Sequence, residues 1–90
     1  MQLHRQADLD VAGLLELLSL DEVEFKKRFA GTSILRAKRR ALLRNVCLAL
    51  GNIGDAQTLP HLECAAADPE PLIVEHARWA IQEIERRQRS

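Results

Sequence analysis

The chain has 90 residues, 47% hydrophobic and 29% charged, with a formal net charge of zero; it is long enough for one domain with a real core, but too short for a two-layer cofactor-binding enzyme. No apolar run approaches the ~20 residues of a membrane span. The start MQLHRQADLD lacks the apolar stretch of a signal peptide, and Cys47 and Cys64 lack the CxxC spacing and the numbers of a disulfide framework, so the expectation is a cytoplasmic chain with reduced thiols and no membrane partner.

Apolar positions recur at three and four, and nothing reads as a strand, so the predicted fold is all-α with about five helices. Asp10 opens a first helix through VAGLLELL. Ser19 and Glu22 fit an S-x-x-E capping box for a second, with the hydroxyl accepting from a free N–H and the carboxylate reaching back. Phe25 and Phe29 give that helix an apolar stripe, and Gly31 follows as its stop. Thr32 then caps a third helix from about Ser33 to Leu50. GNIGD closes it, Asp55 caps a fourth through LPHLECAAA, and DPEP leads to a fifth near Pro71, where a missing N–H costs nothing.

The chain matches itself at a spacing of 31: Leu42-Leu43 with Ile73-Val74, Val46 with Ala77, Ala49-Leu50 with Ala80-Ile81, and Ile53 with Ile84. Helix pairs repeating every 30 to 47 residues or so mark α-solenoids of the HEAT and armadillo kind. The expected architecture is a short solenoid of HEAT-like pairs in one domain, residues 1–90, with 1–32 as an N-terminal cap and 33–90 as the repeat region.

Charge is unevenly spread despite the zero sum. Residues 1–25 carry a net −5, residues 26–45 a net +8 without one acid, residues 46–77 a net −5 and residues 78–90 a net +2. On a continuous helix, Arg36, Arg40 and Arg44 advance by about 40° and 6 Å at each step and form one stripe. Leu35, Leu42, Val46, Ala49 and Ile53 gather on another side, facing the core. Arg39 falls nearer the apolar side, half-buried against a carboxylate, and Lys38 projects in a third direction. Lys26, Lys27 and Arg28 on the preceding helix widen the patch.

A solvated face, paired with the acids of residues 8–24, is the plain reading of such a helix. Two features favour a phosphate backbone instead: no Asp or Glu lies between 26 and 54, and the cations are mostly Arg, whose fork suits phosphate. The stripe lacks aromatic residues for base stacking. On the fifth helix Ile73, Ala77, Ala80, Ile81 and Ile84 form the apolar arc, leaving Leu72, His76, Trp79 and Glu83 on roughly the opposite side. Either a neighbouring segment covers Trp79, or Leu72, His76 and Trp79 anchor a partner domain. A protein-interaction scaffold without nucleic-acid binding is therefore the alternative reading. His61, Cys64, Cys47 and His76 make no zinc-finger spacing, so no metal is expected. No Gly-rich phosphate loop or nucleophile elbow is present, so no catalytic residue is assigned.

The run FKKRFAGTSILRAKRRALLRNVCLALGN, followed by GDAQTLPHL and DPEPLIVEHARWAI, resembles the C-terminal helical region of bacterial epoxyqueuosine reductases, from about Leu9 to Ile84. F-x3-F-x-G-T and R-A-K-R-R-x-L-L-R-N carry the specific part; D-x-E-P and H-A-x-W-A-I are closer to generic HEAT repeats. The resemblance implies a parent whose N-terminal catalytic part binds cobalamin and two [4Fe-4S] clusters and reduces epoxyqueuosine to queuosine at the wobble position of a tRNA. This chain has none of that part's ferredoxin-type cysteine motifs, so the resemblance implies a non-catalytic domain with no cofactor of its own. Its implied partners are tRNA and the catalytic part of the same protein. Glu75 stands where the 31-residue match places Arg44, so the basic surface is expected to fade towards the C-terminus.

Overall fold

A computed structural model describes residues 10–89. Residues 1–9, the start of the expected cap, and Ser90 lie outside the described residues. All regular structure among the described residues is helical: α1 (Val11–Leu18), α2 (Glu22–Phe29), α3 (Ser33–Ala37), α4 (Arg39–Ile53), a 3-10 turn (Ala56–Thr58), α5 (Leu59–Ala65) and α6 (Pro71–Arg89). Among the described residues the all-α expectation holds, but five helices become six because the long third helix is broken.

The break is at Lys38, whose φ of 78° and ψ of 153° lie where residues with a Cβ are strained. Its N–H closes α3 on the carbonyls of Ile34 and Leu35, both at 3.2 Å, and its carbonyl accepts the Leu42 N–H at 3.3 Å to begin α4. No side chain caps either α3 or α4 at its N-terminus.

The other boundaries follow local chemistry. Asp10 caps α1 as expected, its Oδ1 accepting from the Gly13 N–H at 2.9 Å. Ser19 does not open α2: its hydroxyl donates to the Glu16 carbonyl at 2.7 Å and closes α1. The N-cap is Asp21, in extended backbone, and its Oδ1 takes the Glu24 N–H at 2.8 Å. Gly31 follows α2 at φ 78°, as a helix stop should. Thr32 precedes α3 in extended backbone, but its hydroxyl donates back to the Phe29 carbonyl at 2.7 Å instead of capping. Asp55 opens the 3-10 turn, with Oδ1 accepting from the Gln57 N–H at 3.0 Å while Thr58 Oγ1 accepts the Asp55 N–H at 3.2 Å. Pro71 starts α6 as expected.

One core joins Leu14 and Leu18 of α1, Leu43, Val46, Cys47 and Leu50 of α4, Leu62 and Ala65 of α5, and Ile73, Ala77, Ala80 and Ile84 of α6. The α6 arc is the expected one, with Ile81 only partly buried. On α4 the arc is rotated. Leu42 and Ala49 sit at its margin, and Ile53 is 52% exposed. The reason is that α4 lies between α1 and α6 and buries two sides. The 31-residue match therefore holds at Val46 and Ala77, both buried, but fails at Ile53 and Ile84, of which only the second is buried. Phe25 is buried apart from this cluster, its ring centroid 5.2 Å from that of Phe29.

The C-terminal end of α4 is closed from a distance. Arg87 donates from Nη1 to the Gly51 carbonyl and from Nη2 to the Gly54 carbonyl, the latter at 2.8 Å, so α4 runs on to Ile53 and does not stop at Leu50. No helix among the described residues is long and apolar enough to cross a membrane.

Candidate nucleic-acid interface

The cations of the predicted patch come from three helices and a joint. Lys26, Lys27 and Arg28 occupy the last turn of α2, where positive charge complements the helix dipole. Arg36 lies in the last turn of α3, Lys38 is the break itself, and Arg40 and Arg44 lie on α4. Arg36 is therefore not in line with Arg40 and Arg44 on one helix, as the sequence suggested, because the chain changes direction at Lys38.

The charges are not equally available. Arg28 Nη1 lies 3.3 Å from Glu16 Oε2, with 43% and 65% of the two side chains exposed; such a surface pair holds its arginine weakly. Arg44 is half-buried and donates from Nε to Asn45 Oδ1 at 3.3 Å. Lys26, Lys27, Arg36, Lys38 and Arg40 are exposed, and no carboxylate among the described residues pairs with them. Lys26 and Lys38 line one groove of about 500 Å³ between α2 and the α3–α4 joint, together with Glu22, Phe25, Leu35 and Arg39.

Arg39 stands apart, as its helical phase implied. Its Nε donates to the Leu20 carbonyl at 2.7 Å, and both terminal nitrogens bond to the Asp68 carboxylate, Nη1 to Oδ1 at 3.2 Å. These hydrogen bonds hold the Asp68 carboxyl below the ordinary carboxylate range, against the opposing effect of burial. They also raise Arg39, which stays charged. Asp68 was not legible as this partner, because the DPEP segment reads simply as a turn.

On α6, Leu72 and His76 are half-buried, with His76 Nδ1 2.8 Å from the Leu72 carbonyl oxygen. Trp79 was expected opposite the apolar arc. The structure lays its six-membered ring on Gly51 of α4, where an added Cβ would collide with Cζ3, and packs it against the core while leaving it partly exposed. Trp79 also lines a groove of about 590 Å³ with Pro71, Val74, Arg78 and Gln82, to which Leu72 and His76 do not contribute. The three expected interface residues therefore do not share one recess.

Neither a family model nor a solved structure matches the chain. Curated sequences do. Over 75 residues, 82% of this chain, it is 41% identical to the epoxyqueuosine reductase of Xanthomonas campestris pv. campestris, covering 21% of that protein. The epoxyqueuosine reductase of Escherichia coli (strain K12) is 42% identical over 76 residues, again 82% of this chain and 20% of the relative. That of Lactococcus garvieae is 36% identical over 83 residues, 91% of this chain and 24% of the relative. Over the shared stretch, the chain is homologous to the epoxyqueuosine reductases. It spans only about a fifth to a quarter of the length of these relatives.

The [4Fe-4S] clusters that the epoxyqueuosine reductase resemblance implies do not fit the residues present. A [4Fe-4S] cluster takes four thiolates, and the chain has two cysteines. Cys47 is buried, and that burial pushes its thiol up to about 11, while Cys64 is exposed on α5. No group of three or more His, Cys, Asp or Glu side chains among the described residues is arranged to hold a metal ion.

Proposed function

We propose that this chain is a non-catalytic, HEAT-like segment corresponding to the C-terminal helical region of an epoxyqueuosine reductase, and that its basic surface holds the backbone of a tRNA. In this reading the cytoplasmic parent protein reduces epoxyqueuosine to queuosine in that tRNA with cobalamin and [4Fe-4S] clusters carried elsewhere. Of the described residues, 10–32 cap the α-solenoid and 33–89 form its repeat region.

The observation that carries the reading is the set of exposed cations, Lys26, Lys27, Arg36, Lys38 and Arg40, without carboxylate partners among the described residues. Arg28 and Arg44 extend it by leaving weak internal partners. Because these cations sit on three helices, they suit a curved phosphate chain better than the edges of bases, which are read by fixed forks in a groove. The salt dependence of tRNA binding tests the proposal. Neutralising ~4 to 6 phosphates gives a slope of log K against log salt of about −3 to −5, and a flat line overturns it.

The partly exposed Trp79 and its groove support a second reading of the α6 side. Leu72, His76 and Trp79 would there meet the catalytic part of the parent protein, or another protein if the chain is an interaction scaffold. Loss of partner binding in Trp79→Ala, with Arg40→Glu and Arg44→Glu unaffected, would favour the scaffold over tRNA.

A further inference from the structure

We propose that Lys26 and Lys38 hold a single phosphate between them across the groove that separates α2 from the α3–α4 joint. This rests on the tRNA-backbone reading and gives it a defined contact. Both lysines are exposed and line the same groove, and neither has a counter-ion among the described residues. Lysines on both walls of one recess make it favourable for an anion to lie between them. Phe25 and Leu35 supply an apolar wall against which the lysine stems can lie, and that wall lowers the local dielectric and strengthens the ionic contact.

Lys38 itself adds the second line of argument. Its φ of 78° and ψ of 153° belong to a region that glycine occupies at little cost and other residues occupy under strain. A glycine would make the α3–α4 joint more cheaply, so the fold gains nothing from a lysine there. What the lysine adds is a positive charge on the joint side of the groove that Lys26 lines from α2. Arg39 also borders the groove, but its guanidinium is committed to Leu20 and Asp68. Glu22 borders it as well, and its carboxylate opposes an anion. The groove therefore has two available cations and one opposing charge, which suits one phosphate and not a string of them.

Binding of a tRNA transcript to the 90-residue chain, followed as a function of salt, tests this. Lys26→Gln and Lys38→Gly each weaken binding by about threefold to tenfold and lower the magnitude of the salt slope by about 1. Because the two share a phosphate, the double variant also lowers the slope by about 1, whereas Arg40→Gln combined with either lysine change lowers it by about 2. Glu22→Gln tightens binding. Lys38→Gly removes strain as well as charge, so a loss of binding in that variant does not come from misfolding. A slope reduced by about 2 in the Lys26/Lys38 double variant, or unchanged binding in either single variant, overturns the shared phosphate while leaving the tRNA reading intact. A flat slope for the unaltered chain overturns both.

Discussion

Arg39 and Asp68 join the first turn of α4 to the α5–α6 connection, with 9% and 10% of their side chains exposed and two hydrogen bonds between them. Asp68 Oδ1 also accepts the Glu70 N–H at 2.9 Å, so one carboxylate fixes both a helix start and the entry to α6. Removing one partner leaves a buried charge without compensation. Asp68→Ala is expected to cost about 3–5 kcal/mol, while Arg39→Met with Asp68→Leu recovers most of that loss. Urea unfolding of the two variants checks the difference.

The same pair sets an acid limit. The Asp68 carboxyl is lowered in the folded chain, chiefly by its hydrogen bonds to Arg39, and in the unfolded chain it titrates near ~3.9. The charged form is therefore favoured by folding. Its contribution is complete above the unfolded value and disappears as pH falls through the lower folded value. Stability measured downwards from pH 6 should fall less steeply in Asp68→Asn than in the parent chain, from a lower starting point.

Gly51 tests the α4–α6 contact. Alanine ordinarily improves a helix interior by ~1 kcal/mol over glycine, but here its Cβ would enter the Trp79 ring. Overpacking of this kind costs about 1–3 kcal/mol. Gly51→Ala is expected to be neutral to destabilising in the parent chain and stabilising in a Trp79→Ala background. Thermal unfolding reads both, and the fluorescence of the sole tryptophan reports the ring's displacement in the first.

Relief of strain at Lys38 gives an effect of opposite sign. Lys38→Gly is expected to raise stability by about 1 kcal/mol, since the conformation it relaxes costs about 1–3 kcal/mol and glycine restores some unfolded-state entropy. Lys38→Ala keeps the Cβ and should give no such gain. The urea midpoints of the two variants decide the matter.

The two thiols should separate cleanly in rate. Cys47 is buried, with its thiol raised to about 11, whereas Cys64 is exposed. Only a thiolate attacks a disulfide reagent at a useful rate. In native chain at pH 8, Cys64 is modified promptly and Cys47 only on unfolding; prompt modification of both would contradict the packing of α4.

Periodicity alone reveals the helical class, the α6 arc and the stops at Gly31 and before Pro71, because these depend on neighbours three or four residues away. Arg39's separation from the other cations was also legible, through its phase. What could not be read locally were its partner Asp68, the Arg87 bonds to α4 and the seat of Trp79 on Gly51, all of which join residues 28 or more positions apart. The break at Lys38 escaped for a different reason. Lysine is a good helix former, and nothing beside it in ILRAKRRALL signals a stop. Thr32 and Ser19 looked like caps but turned their hydroxyls back to the preceding helix, a competition that residue type alone does not decide.

The reach of Arg87 orders the assembly of the molecule in time. It lies 36 residues beyond Gly51 and 33 beyond Gly54, so during vectorial synthesis α4 is made before the guanidinium that finishes its last turn exists. Water serves those two carbonyls in the meantime. A nascent chain stalled before Arg87 therefore carries a frayed α4, and the final turn locks only when the last helix docks.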